Sequence, residues 1–412
     1  MSNHLFVGID VSSKENVAVI LNSAGQRVGK VFLFAHNREG TESFIARLIK
    51  AAKPLGVDSI SIGFEATGIY AWHLPNLFSS HPELAYFKPK VYQINPKLIR
   101  NFKKAYSDLE KTDDVDAFVI ADRLRFGRLP IPFSSSDYIY MSLQKLTRTR
   151  LHLIEDVIRE KTRFLGHLFF KFSNYKQESP FSNVFGKASS AVITEIFSTE
   201  EMVSMPLKEL ASFLVEKGKN RFGDSLFIAK ELKKIAGLSY KLPDQMKEPI
   251  NFVLSTSLNT IRTLEDQVKK TDKVIEREMA MIKHTLLSID GIGPVLAAGI
   301  IAEIGDVSRF PNQAALAKFA GLWWKRRQSG NFEAEETRLA KSGNKYLRYY
   351  LVEAANSLRI HNPGFKTYYT KKRSEVTKHQ HKRALVLSAR KLVRVIFSLL
   401  RSKKLYELPI AA

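Results

Sequence analysis

Leu254, Ile261, Val268, Ile275 and Ile282 recur every seven residues. Only a helix keeps such positions on one face, so the spacing predicts a helix from about 251 to 282. Between the outermost of these residues such a helix spans ~43 Å. A rod of that length cannot hide its own apolar seam and needs a partner. The stripe Leu143, Leu146, Leu153, Ile154, Val157, Leu165 and Leu168, on a helix over 143–172, is one candidate; a second copy of the chain is the other. The alternate seam positions hold Leu258 and Met279 but also Glu265 and Asp272, so the seam is imperfect. The expectation is a coiled-coil stalk over 139–283 that supports a homo-oligomer, a dimer or tetramer. Residues 173–246, interrupted by Pro180, Gly186, Pro206, Gly218, Gly237 and Pro243, read as a small helical insertion in it.

The N-terminal third has a different period. Leu5–Ile9, Val17–Leu21 and Val28–Phe34 read as three strands, with a turn at Asn22-Ser23-Ala24-Gly25. A helix follows over 41–52, then a strand over 58–64, a helix over 69–78 and a third parallel strand at Lys90-Val91-Tyr92. A β-meander followed by alternating β and α elements predicts a three-layer α/β domain over 1–133, closed by a linker at Ile131–Ser136. Helices dominate thereafter, with a last, mainly helical domain over 284–406.

In such sheets functional groups gather where strands end. Asp10 and Glu65 each sit just past a strand. Asp113 and Asp116 open a helical run, and their spacing puts both carboxylates on one face. Each acid has a plainer use: Asp113 or Asp114 caps the helix, Asp10 closes a turn, Glu65 is solvated in a loop. Together, in this order, they suggest a metal site, because carboxylates this close repel unless a cation lies between them. Mg²⁺, with Mn²⁺ as a substitute, prefers oxygen ligands. Two such ions about 3.5–4 Å apart stabilise the attacking and leaving oxygens of a phosphodiester. This arrangement resembles the RNase H-like fold of RuvC-type nucleases, whose Asp-Glu-Asp-Asp set holds two divalent ions.

Charge names the partner class. The chain has 64 Lys and Arg against 41 Asp and Glu, a net charge of +23. Residues 341–404 alone hold 17 cations and two acids, Glu353 and Glu375. That excess points to a polyanion, nucleic acid before membrane. Lys371-Lys372-Arg373 and Arg390-Lys391 are the expected phosphate contacts, against the alternative of a solvated basic helix face. The absence of cysteine excludes disulfides and thiolate zinc sites. With no signal peptide and no apolar run long enough to span a bilayer, the expected location is the cytoplasm, at the nucleoid.

A second chemical region follows the stalk. Ile289-Asp290-Gly291-Ile292-Gly293-Pro294 opens a helix in the manner of a helix-hairpin-helix, where Gly291 and Gly293 let the backbone approach a phosphate. A tight turn between packed helices is the alternative. Trp323 and Trp324 precede Lys325, Arg326 and Arg327, cations suited to phosphates beside aromatics suited to bases. Ser329 is a candidate nucleophile. On its residue chemistry alone it is more often a loop or N-cap serine, and Ser342 is an equal rival.

The motifs D-V-S near the start, F-E-A-T-G at 64–68, K-T-D-x-x-D-A at 111–117, S-I-x-G-I-G-P at 288–294, A-G-L at 320–322, Q-S-G at 328–330 and K-x-G-N-K-x-L-R at 341–348 occur in this order. Together they resemble the DEDD-type transposases of bacterial insertion sequences, a family that includes the pilin-gene inverting recombinase and the bridge-RNA-guided recombinases. Asp290 stands where that family commonly has proline, and Trp323-Trp324 replaces the more usual Ala-Pro. The resemblance implies a RuvC-like domain with metal ligands Asp10, Glu65, Asp113 and Asp116, and a C-terminal transposase domain supplying Ser329. It implies strand breakage and rejoining of double-stranded donor and target DNA through a phosphoserine, guided by a structured bridge RNA. Lys341, Lys345 and Arg348 join the nucleic-acid contacts. Serine and acids lie over 200 residues apart, so the resemblance requires domain packing, within a chain or between two. A junction-resolving nuclease using water, and a non-catalytic nucleic-acid scaffold, are the competing readings.

Overall fold

Strands β1 (His4–Asp10), β2 (Glu15–Leu21) and β4 (Ser59–Glu65) leave one residue, Glu15, exposed, as befits strands covered on both faces. With β3 (Phe32–Ala35) and β5 (Lys90–Ile94) they form one sheet, ordered β3-β2-β1-β4-β5. The β1–β2 and β2–β3 pairs are antiparallel; β1–β4 and β4–β5 are parallel. In this computed structural model the described residues are 3–66, 68–106, 109–110, 112–134, 137–178, 180–196, 198–219, 223–324, 328–329, 332–333, 339–340 and 342–407. The chain divides into two units, Met1–Ser142 with Ile304–Ala317, and Leu143–Glu303 with Lys318–Ala412.

In the first unit, α1 (Arg38–Ala52) is started by Asn37, whose side chain accepts from the Gly40 amide at 2.7 Å. Its Phe44, Ile45 and Leu48 join Leu74 and Phe78 of α2 (Leu74–Ser80) in the core beneath Val7, Ile9, Ile60 and Ile62. After α3 (Pro96–Lys103), helix α4 (Asp113–Phe126) covers the opposite face, Ala117 and Ala121 lying on Val17, Val19 and Leu21. The expected three layers are present. β3 starts four residues later than its alternation suggests: Val28 still bonds Ile20, but Gly29 at φ 76° turns the chain out of the ladder. The helix expected over 69–78 is split into a single turn at Tyr70–Trp72 and α2, because Pro75 belongs to a first helical turn. Phe133, placed in the linker, donates to Val91 and so is tied to the sheet.

In the second unit, α5 (Asp137–Lys171, the greater part of it here) and α11 (Asp244–Met279) are the two long helices. The two acids that interrupt the α11 seam are each matched by an α5 cation. Arg150 holds Asp272, and Lys161 lies 2.6 Å from Glu265. Leu254, Leu258 and Ile261 pack with Phe164 and Leu168, so the seam's partner here is the same chain's helix. Ile282 falls beyond the helix end at Met279. Between them lie α6 (Tyr175–Glu178), α7 (Lys187–Glu195), α8 (Thr199–Ser204), α9 (Leu207–Gly218) and α10 (Ser225–Leu238). Then come α12 (Pro294–Ile304), α13 (Gln313–Phe319, mostly in the first unit), the two-residue strands β6 (Gln328–Ser329) and β7 (Phe332–Glu333), and α14 (Lys345–His361), α15 (Pro363–Ser374) and α16 (Gln380–Ser402). Among the described residues no helix is long and apolar enough to cross a membrane.

Candidate active site

Parallel pairing brings two of the four acids side by side. Ile9 is in register with Phe64, so Asp10 and Glu65 end neighbouring strands at the same level. Asp113 and Asp116 stand in the first turn of α4, where the helix dipole favours negative charge. What lets α4 reach them is Gly8. A methyl group there would lie 2.1 Å from the Ala117 carbonyl oxygen and 2.3 Å from the Ala121 nitrogen, so only glycine admits the helix backbone this close to β1.

The acids feel one another. Burial pushes the Asp10 carboxyl above the ordinary carboxylate range, and repulsion from Asp113 and Asp116 adds to it. Glu65 is likewise raised, by burial first and then by Asp10 and Asp116. One cation of the chain is already seated there: the Lys103 ammonium lies 2.6 Å from Asp116 Oδ1. Asp114 belongs elsewhere. Its carboxylate takes the Thr112 hydroxyl at 2.5 Å, lies 4.0 Å from Arg27, and is held below the usual range by that hydrogen bond. The donor set, hard oxygens whose charges repel, suits a divalent cation. As the side chains stand, no three Asp, Glu or His among the described residues close into a ligand cage.

Ser329 lies in the second unit, in β6, paired with Phe332 of β7. Lys325, Arg326, Arg327 and Lys341 lie outside the described residues. The root of this hairpin is held by backbone pairing. Trp324 bridges Leu339, and the Ala340 amide donates to the Trp323 carbonyl at 2.9 Å. Below it, Gly321 (φ 72°) and Gly343 (φ 130°) meet backbone to backbone. A methyl on Gly343 would sit 2.5 Å from the Phe319 carbonyl, and one on Gly321 2.8 Å from that of Ser342. The A-G-L and K-x-G-N-K motifs are thus two sides of one contact. Ser342, the rival serine, is exposed beside it.

That contact rests on a buried carboxylate which the sequence reading passed over. Glu303, the only charged residue of α12, has a side chain with 0% exposure. It accepts from Arg148 Nε at 2.7 Å, Arg148 Nη2 at 2.8 Å, Gln144 Nε2 at 3.1 Å and Asn344 Nδ2 at 2.6 Å. A lone acid in an apolar helix was the signal available. Asn344 also caps α14, its Oδ1 accepting from the Tyr346 and Leu347 amides.

The remaining predicted contacts divide. Gly291 (φ 97°) is pressed against His361, Ser357 and Leu358 of α14, a packing role, whereas nothing lies within 4 Å of a methyl built on Gly293, ahead of α12. Lys345 is exposed, its ammonium 4.9 Å from the Tyr346 ring centre. Arg348 is engaged internally, donating to Ala320 at 3.4 Å. Lys372 pairs with Glu375 at 2.6 Å, while Lys371 and Arg373 stand exposed.

A DEDD transposase model of the IS110 group matches residues 7–172, and a model described as the transposase IS116/IS110/IS902 family matches residues 283–370. The uncharacterized 44.8 kDa protein of insertion element IS116 from Streptomyces clavuligerus is 25% identical over 406 residues, 98% of this chain and 96% of its own. The uncharacterized 42 kDa protein of insertion element IS900 from Mycobacterium paratuberculosis is 25% identical over 99% of this chain and 98% of its own. The pilin gene-inverting protein of Moraxella bovis is 26% identical over 163 residues, 38% of this chain and 50% of its own. Matched at both ends by models of one transposase group, and along nearly its whole length by insertion-element proteins, the chain belongs to the DEDD transposase family of insertion sequences.

Proposed function

We propose that the chain breaks and rejoins DNA strands for an insertion sequence, through a covalent phosphoserine at Ser329, with an RNase H-like domain at its N-terminus. The observation that carries the reading is the meeting of Asp10 and Glu65, at neighbouring strand ends, with Asp113 and Asp116, at a helix start, close enough that Asp113 and Asp116 add to the raised proton affinity of Asp10, and Asp10 and Asp116 to that of Glu65. The sheet order, with β2 antiparallel beside three parallel strands, supports the RNase H-like assignment.

In this mechanism the Ser329 hydroxyl attacks the phosphodiester. An Oγ–P bond forms, the bond to the leaving deoxyribose oxygen breaks, the serine proton passes to solvent or a nearby base, and the leaving oxygen ends as a hydroxyl. The ester keeps the bond energy for rejoining, which attack by water would lose. Asp10, Glu65, Asp113 and Asp116 would hold Mg²⁺ or Mn²⁺. When bound, the cation polarises the phosphate and stabilises the leaving oxygen. Exposed cations such as Lys345, Lys371 and Arg373 hold backbone phosphates, and a structured RNA selects donor and target by base pairing.

The test is an adduct assay on DNA carrying the element's end. Protein purified with any co-purifying RNA should yield a protein–DNA adduct resistant to denaturant. Ser329→Ala and Asp10→Asn should each abolish it. Cleavage retained by Ser329→Ala but lost in Asp10→Asn would make the protein a metal-dependent nuclease instead. Loss of all nucleic acid from active preparations would remove the RNA guide from the proposal.

A further inference from the structure

We propose that Lys103 is a built-in counter-ion of the acidic site, seated on Asp116 when no metal is bound and displaced when a divalent cation arrives; this rests on the metal reading above. Of the four acids, Asp116 is the one whose carboxylate is ion-paired among the described residues, and its partner is Lys103, 2.6 Å away. The pair is half-sheltered, the lysine side chain 24% exposed and the aspartate 34%. One ammonium of the chain is therefore already seated on a carboxylate of the acidic cluster.

Charge arithmetic makes this arrangement provisional. Four carboxylates against one ammonium leave the site strongly negative, which favours an incoming dication. A dication and an ammonium cannot share the same carboxylate oxygen at hydrogen-bond distance without strong repulsion. Lysine is suited to yielding: its charge is a compact point on a flexible four-carbon stem, unlike the planar fork of arginine. Lys103 is the last residue of α3, so its side chain can swing away without unwinding a helix turn. Without the lysine, the apo site would carry its repulsion unrelieved and gain more from metal. With it, each binding event must first break one charge-assisted hydrogen bond. Lys103 thus sets the threshold metal concentration at which the site loads, and keeps the apo acids from splaying apart.

The experiment is Mn²⁺ titration of the full chain, followed by the electron paramagnetic resonance of free Mn²⁺. Lys103→Met should bind Mn²⁺ about tenfold more tightly than the unsubstituted protein, the equivalent of one charged hydrogen bond. Lys103→Arg, which restores the cation, should stay within about threefold. Equal or weaker binding by Lys103→Met overturns the inference while leaving the metal site standing. Absence of Mn²⁺ binding by either protein defeats the metal reading itself, and the inference with it. The unsubstituted protein offers a check independent of folding of the variant. Saturating Mg²⁺ should increase acylation of Lys103 by an amine-reactive ester, read by peptide mass spectrometry, and an unchanged or reduced yield counts against displacement.

Discussion

Replacing Arg148 by methionine keeps most of the aliphatic stem and removes the guanidinium from Glu303. The carboxylate, fully buried, then retains two neutral donors, Gln144 and Asn344, in place of a bidentate cation. Breaking a buried ion pair by removing one partner costs about 3–5 kcal/mol. Arg148 is one-third exposed, which places this case near the lower end, and loss of its contact with the Tyr346 ring, 4.4 Å from the guanidinium carbon, adds about 0.5–1 kcal/mol. The expected loss is about 3–4 kcal/mol at pH 7, read as a shift in the urea unfolding midpoint. One signature separates this cause from simple loss of packing. Adding Glu303→Leu should recover much of the loss, because an apolar pair costs less than a stranded charge. A deficit under about 1 kcal/mol, or a double variant no better than the sum of its parts, would refute the reasoning.

Gly8→Ala forces α4 off β1 and should destabilise the first unit by about 1–3 kcal/mol while weakening Mn²⁺ binding. Gly293→Ala, whose methyl meets nothing within 4 Å, should leave urea stability within about 0.5 kcal/mol. Asp10 and Glu65 hold protons more tightly folded than unfolded, so metal-free stability should fall as pH rises from the ordinary carboxylate range through their raised values. Saturating Mg²⁺ should flatten that slope in thermal melts taken across pH 4–8; an unchanged slope would mean the acids do not share a cation.

The sheet was legible because its strands are short apolar runs bounded by turn residues, and because two of them end in acids. Asp10 and Glu65 could be placed from sequence, since parallel neighbours bring strand ends together whatever the loops do. The role of Gly8 was not legible. Inside V-G-I-D a glycine reads as a weak strand residue, and only the path of α4 shows what a side chain there would strike. The long helices were visible, one from its seven-residue period and the other from its apolar stripe, but their true starts at Asp137 and Asp244 were not, because neither added stretch extends the pattern that follows it. Pro249 lies inside α11, where composition argues for a break. Glu303 and its partners were hidden for another reason. Its three partners come from positions 144, 148 and 344, and no local pattern links such distant places to 303.

Asn344 faces two demands at once. As a helix cap alone it would be interchangeable with serine, threonine or aspartate, which all offer an oxygen to the first turn. Its nitrogen, however, also donates to Glu303. Aspartate would set a second negative charge against a sealed carboxylate, and serine is too short to span both neighbours. A position that looks permissive by every rule of helix initiation therefore tolerates a single residue type, and drift there would loosen the root of the hairpin that carries Ser329 without touching the serine.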